Sequence, residues 1–149
     1  MRDSYGVDLD VEPFERWRRG EPDDLGYLDD WCALLGALRA RGCTLRRIKV
    51  VSEPISEYHR WIHSILHRIV AAGEETRWCS RGDILAGPLP GSDFYVLDGA
   101  EVMFLRYSGD GVVTGLFVTE DPAVVRFCSA VFEDVWKLAT DHRAYRPRL

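Results

Sequence analysis

Three histidines, His59, His63 and His67, recur at every fourth position of one stretch. Imidazoles one helical turn apart can share a transition metal. With Ile62 at the centre of the apolar stripe and about 100° of rotation per residue, the rings stand at about 60°, 100° and 140° from it. They drift from the core edge toward solvent and do not converge as three ligands. Only the pair His59/His63 could hold a metal, and no HExxH-type carboxylate stands beside it. The sequence therefore assigns boundary and surface histidines and no metal, with His59/His63 as the alternative. It assigns no cofactor.

A second cluster, Ser52, Glu53 and Tyr58, gathers where an apolar strand meets a long amphipathic helix. Free N–H groups at a helix start attract anions, and open α/β sheets bind ligands at the carboxyl ends of parallel strands. Glu53 and Glu57 would compete with an anion there, so a plain capping arrangement is the alternative, with Ser52 as cap and Pro54 in the first turn. Arg47 and Lys49 alternate onto one strand face, with Arg77 on a neighbouring strand. They could grip a carboxylate or phosphate, or lay their stems over apolar surface. Asp93 opens a strand after a loop rich in Gly and Pro, and is either a site residue or a turn residue bonding its own backbone. Gly109-Asp110-Gly111 lies between two strands and reads as a hairpin turn, not a nucleotide loop. No GxSxG, P-loop or HxK phosphodiesterase motif occurs.

The elements that must position these residues follow from periodicity. A short helix is expected over Pro13–Arg19, stopped by Gly20, and a second from Asp24 or Leu25 to Arg41, closed by Gly42. Thr44–Val51 reads as a strand, Glu53 to about Ala71 as the long helix ended by Gly73, and Glu75–Cys79 as a second strand. Strand, helix and strand of this length make a βαβ unit with parallel strands. Asp93–Leu97, Glu101–Tyr107 and Val112–Val118 follow as hairpin-linked strands. Asp121 caps a last helix with Pro122 in its first turn. Glu101–Tyr107 is apolar at both alternate sets, which predicts helices on both faces of the sheet. The expected fold is one mixed α/β domain over residues 1–149: a mixed sheet of about five strands, a central βαβ unit, an acidic arm over 1–24 and a loose basic tail over 140–149.

Composition narrows function. The net charge of −5 argues against nucleic acid as a direct partner, because phosphate neutralisation needs surplus Lys and Arg. Between Trp31 and Ser52 there is no carboxylate, only Arg39, Arg41, Arg46, Arg47 and Lys49, so a basic flank is expected to pack against the acidic arm. No basic start followed by an apolar run marks a signal peptide, and no apolar run is long enough to cross a bilayer. Cys32, Cys43, Cys79 and Cys128 are widely spaced, as for reduced thiols of a cytoplasmic protein.

The stretches VVSEPISEYHRW, AAGEETRW, LPGSDFYVLDG, GDGVVTGLFVTEDPAVVRF and FEDVWKLA, in this order, resemble an uncharacterised actinobacterial family, domain of unknown function 6879. The resemblance covers about Phe14 to Ala139. It implies an association with helix-turn-helix regulators, beside which members are often encoded. It also places Ser52, Glu53, Pro54, Tyr58, Arg77, Asp93 and Phe94 on the family's motifs. More distantly, the chain resembles one half of a phospholipase D-like fold without its catalytic motif, so phosphodiester chemistry is not carried over.

The function expected is a non-catalytic regulatory module that binds a small anionic ligand or a protein partner near Ser52–Tyr58, Arg77 and Asp93. The alternative is a small biosynthetic enzyme, such as a group transferase, using the same corner. A third possibility, a structural partner subunit, would show an exposed aromatic patch around Trp17, Trp31 or Trp78.

Overall fold

The computed structural model describes residues 2, 3 and 5–148. Helix α1 (Asp8–Arg18) starts earlier than expected and carries Pro13 inside it. A 3-10 turn at Gly26–Leu28 precedes α2 (Asp29–Ala40), which is therefore shorter at its start than its apolar spacing suggests. Gly42, at φ +78°, lets the chain reverse: its N–H donates to the Arg39 carbonyl and the Cys43 N–H to the Leu38 carbonyl. That left-handed closure is the one expected of glycine past a helix end.

Strand β1 (Leu45–Val51) and strand β2 (Glu74–Ser80) are parallel and joined through α3 (Glu57–Ala72), so the βαβ unit forms. The long helix begins four residues later than expected. Ser56, not Ser52, is the cap, and its hydroxyl accepts from the His59 N–H at 3.2 Å. Pro54 lies in the connection before the helix, after a cis peptide bond.

The single five-stranded sheet is not found. Strands β3 (Phe94–Leu97), β4 (Glu101–Tyr107) and β5 (Val113–Thr119) form their own antiparallel meander. The parallel pair is completed instead by β6 (Thr140–Asp141), antiparallel to β2. Helix α4 (Pro122–Leu138), capped by Asp121 as expected, lies between the sheets. Its Val131 and Val135 pack on Val50 and Cys79 of the first sheet, and its Val125 and Cys128 on Val102 of the second. Helices cover both faces of the first sheet, with α3 placing Leu66 on Val51 and Trp78. The second sheet is covered by α4 on one face only. The opposite face, carrying Tyr95, Leu97, Leu116 and Val118, stays exposed. An apolar strand on both sides thus does not prove that its own chain buries both.

The tail is not loose. After β6, Tyr145 is buried and stacks on Trp78 at 5.1 Å with the ring planes 3° apart, and the Arg148 carbonyl accepts from the Ile55 N–H. Among the described residues, no helix is long and apolar enough to cross a membrane.

Candidate functional site

The corner beyond the carboxyl end of β1 does hold an anion, and the chain supplies it. The Asp3 carboxylate accepts from the Ser52 N–H at 2.8 Å and the Ser52 hydroxyl at 2.7 Å, and Arg81 lies 3.9 Å away. Arg81 also donates to the Ser52 hydroxyl, and the Ser56 hydroxyl donates to the Asp3 carbonyl. Partial burial works against the Asp3 carboxylate, but the two Ser52 donors and Arg81 outweigh it, so its pKa lies below the usual value.

The expected site residues divide. Tyr58 donates to Asp10 of α1 at 2.8 Å. Asp93 does not simply close its own turn: one carboxylate oxygen accepts from Tyr5 at 2.8 Å and Tyr107 at 3.0 Å. The Tyr5 ring lies 6.1 Å from Tyr58 and 5.8 Å from Tyr107, so the N-terminal arm joins Ser52, Tyr58 and Asp93 into one region. Glu53 faces the other way, accepting from the Tyr145 hydroxyl at 2.7 Å. Arg77 is on the wrong face: it registers opposite Ile48, so it points to α4 while Arg47 and Lys49 point to α3. Its guanidinium lies 4.3 Å over Trp136 and donates to the Trp136 carbonyl. Phe94 is a core residue against Val102, Val125 and Cys128.

Among the described residues, the ion pairs of the basic flank do not go to the acidic arm. Arg46 pairs with Glu133, and Arg47 with Glu74, which is buried and also accepts from Thr76. Lys49 is half-buried 6.0 Å from the Trp78 ring, and its pKa falls to about 8 because burial, then the Arg47 charge, disfavour the ammonium. Its native pKa lies below its unfolded one, so wild-type stability rises as pH climbs from about 8 toward 10.5. Lys49→Met should therefore gain about 2 kcal/mol at pH 7, a gain that shrinks toward zero by pH 10.5. Urea unfolding of both proteins across that range checks it.

The histidines follow the expected gradient: His59 is buried, His63 half-buried and His67 exposed. The first two do not turn toward a shared ligand. The His59 Nδ1 lies 3.3 Å from the Ser56 hydroxyl, whereas His63 packs 4.9 Å from His142. His142 accepts from the Trp78 indole N–H through Nδ1, which spends that lone pair. Among the described residues, no group of three or more His, Cys, Asp or Glu is placed to hold a metal ion. Trp78 is buried and cannot be part of an exposed aromatic patch. All four cysteines are free thiols, with Cys79 and Cys128 buried and Cys43 exposed.

Next to the Ser52 corner opens a cleft of about 570 Å³ lined by Arg2, Arg81, Arg106, Ser92, Tyr107 and Thr114. Among its described lining residues there is no carboxylate. Arg106 makes no ion pair among the described residues and lies across Gly115, where a Cβ would come within 3.2 Å of its guanidinium. Arg2 lies 5.1 Å over the Tyr107 ring, whose hydroxyl is pushed up to about 12 by burial and by Tyr5. Arg81 belongs to both the cleft and the Ser52 corner, and Tyr107 ties the cleft to Asp93. Reasoning from the sequence did not single out Arg2, Asp3, Tyr5, Arg81, Arg106 or Tyr107. They come from the arm, a 3-10 turn and a hairpin, and no spacing rule links such distant stretches.

These features define a small mixed α/β domain with a parallel βαβ unit, a separate meander and an arginine-lined surface cleft. The chain belongs to the DUF6879 family, a domain of unknown function, whose model matches residues 1–147. No curated protein and no solved structure matches it.

Proposed function

We propose that the chain is a non-catalytic regulatory module that takes a small anionic ligand in the Arg2/Arg81/Arg106 cleft. One observation carries this reading: three arginines line one open cleft that has no carboxylate among its described lining residues. Guanidinium forks favour carboxylate or phosphate oxygens. The adjoining Ser52 corner lends further support, because the chain's own Asp3 carboxylate accepts from the Ser52 N–H and hydroxyl there.

The alternative of a group transferase has less support. An enzyme concentrates strongly shifted titratable groups in its pocket. Here Lys49, His59 and Tyr58 are strongly shifted but lie outside the cleft, and of the strongly shifted groups only the Tyr107 hydroxyl, raised mainly by burial, is among its described lining residues. The resemblance adds a regulatory setting, with a helix-turn-helix protein as the partner and the bacterial cytoplasm as the location.

Isothermal titration with inorganic phosphate, pyrophosphate and citrate tests the proposal. Pyrophosphate or citrate should bind, and Arg106→Ala should weaken binding about tenfold or more, as expected for a lost charge-assisted contact. Binding equal in the wild type and Arg106→Ala, or absent for all three anions, would overturn it.

A further inference from the structure

We infer that the segment after α4 is a proton-operated strap: protonation of His142 releases residues 140–148 from the first sheet and uncovers the Val51, Ile55 and Trp78 surface beneath Tyr145. Strand β6 gives the strap two paired residues, Thr140 with Trp78 and Asp141 with Arg77. The His142 N–H donates to the Thr76 carbonyl, the Tyr145 hydroxyl to Glu53, and the Ile55 N–H to the Arg148 carbonyl. The other fixings centre on Trp78. Tyr145 stacks on its ring, and His142 Nδ1 accepts its indole N–H at 3.1 Å.

The indole fixes the protonation state of His142. An indole nitrogen can only donate, so Nδ1 must be bare and the ring proton sits on Nε2. An imidazolium carries N–H at both nitrogens and offers the indole no acceptor. His142 therefore cannot take up a proton and keep its bond to Trp78.

The surroundings push the same way. The His63 ring of α3 lies 4.9 Å from His142, and His67 and Arg143 add positive charge. Arg146 acts likewise on His63. Lys49 and His59, each 6.0 Å from the Trp78 ring, bring no negative charge. Asp141 opposes them, but its carboxylate also accepts from the Arg143 N–H. Burial is the largest influence and holds the His142 pKa below its ordinary 6.5. A cleft of about 440 Å³, lined by His63, His67, His142, Arg143 and Arg146 among others, opens the ring's surroundings to solvent protons. The detached strap thus binds a proton that the docked one refuses. Docking is strongest above pH 6.5 and weakens as pH falls below it. Release also takes the Tyr145 hydroxyl from Glu53, the neighbour of Ser52 in the chain.

Hydrogen exchange of the full chain between pH 7.5 and 5.5, corrected for intrinsic rates, provides the test. Residues 140–148 should open about tenfold more often at the lower pH, by a local route that leaves β1 and α3 closed. In His142→Asn the side-chain oxygen can still accept from the indole but binds no proton, so the strap should stay closed with no pH dependence. His59→Gln should leave the strap's response unchanged, because His59 acts on the whole domain. Where His142→Asn does not dock its strap, the ring resonances of wild-type His142 decide, and they should titrate with the midpoint of strap opening. Strap protection that stays flat in the wild type overturns the inference. So does a docked His142→Asn strap that keeps the full response, or a ring that titrates apart from the opening.

Discussion

Replacing Trp78 with alanine should cost about 3–5 kcal/mol, the range for removing a large buried aromatic side chain, and should free the chain after Ala139. Trp78 is 1% exposed and lies where three parts of the fold meet. It packs with Val51, Ile55 and Leu66 beneath α3, stacks on Tyr145, and donates its indole N–H to His142 at 3.1 Å. Deleting it leaves a cavity, strips His142 of its hydrogen-bond donor and removes the ring that pins the tail. Phe at this position would restore most of the volume but not the donor, so it should cost less. Urea unfolding gives the energy. Hydrogen exchange should show residues 140–148 losing protection in Trp78→Ala before the rest of the domain. A cost under 1 kcal/mol, or a tail that keeps its protection, would contradict this assignment.

The second large effect is acid lability above the range where carboxylates titrate. His59 is buried, and its pKa falls to about 4, chiefly because burial disfavours the imidazolium and next because Lys49 repels it. Asp3 pulls the other way, and Arg81 adds to the repulsion. The native pKa lies below the unfolded value of 6.5, so the unfolded chain binds a proton that the native chain refuses. His59 therefore contributes its full stability above pH 6.5 and loses it as pH falls toward 4. From pH 7 to pH 4.5 the unfolding free energy should drop by about 2 kcal/mol from this residue alone. His63 and His142, both lowered mainly by burial, act in the same direction. His59→Gln should flatten the profile over this window. An equally steep profile in that variant would remove His59 from the account.

The local elements were largely legible in the sequence, because their signals are carried by adjacent residues. Asp121-Pro122 opens α4, Gly42 closes α2, and β4 runs over Glu101–Tyr107 as its composition suggests. The parallel pairing of β1 and β2 follows from the length of the crossover between them. The register then undoes one site assignment: Arg77 falls opposite Ile48, and alternation sends it to α4 instead of toward Lys49. Ser52, which precedes Glu53-Pro54, has the sequence context of a cap, but Asp3 claims it and Ser56 takes the cap. Contacts between residues 49 positions apart leave no periodic trace. The split into two sheets was hidden for a similar reason, since the two-residue β6 is too short to carry a pattern and supplies the third strand of the first sheet.

Asp3, Tyr5 and Asp10 give the N-terminal arm a definite place in the site, with partners on Ser52, Asp93 and Tyr58 respectively. The arm holds together the residues that border the cleft, and an anion entering near Arg81 would meet the Asp3 carboxylate already seated there. Asp3→Asn should consequently tighten binding of an added anion, by removing a like charge from its path.

The most direct measurement is a titration of isotope-labelled protein with pyrophosphate, following the arginine Nε–H resonances and the Ser52 amide by NMR. Arg81 and Arg106 should shift together and saturably, Ser52 should follow through Arg81, and Arg106→Ala should abolish the saturable response. Resonances that stay still while pyrophosphate is added, or shifts confined to the His63/His142 side of α3, would contradict an anion site in this cleft.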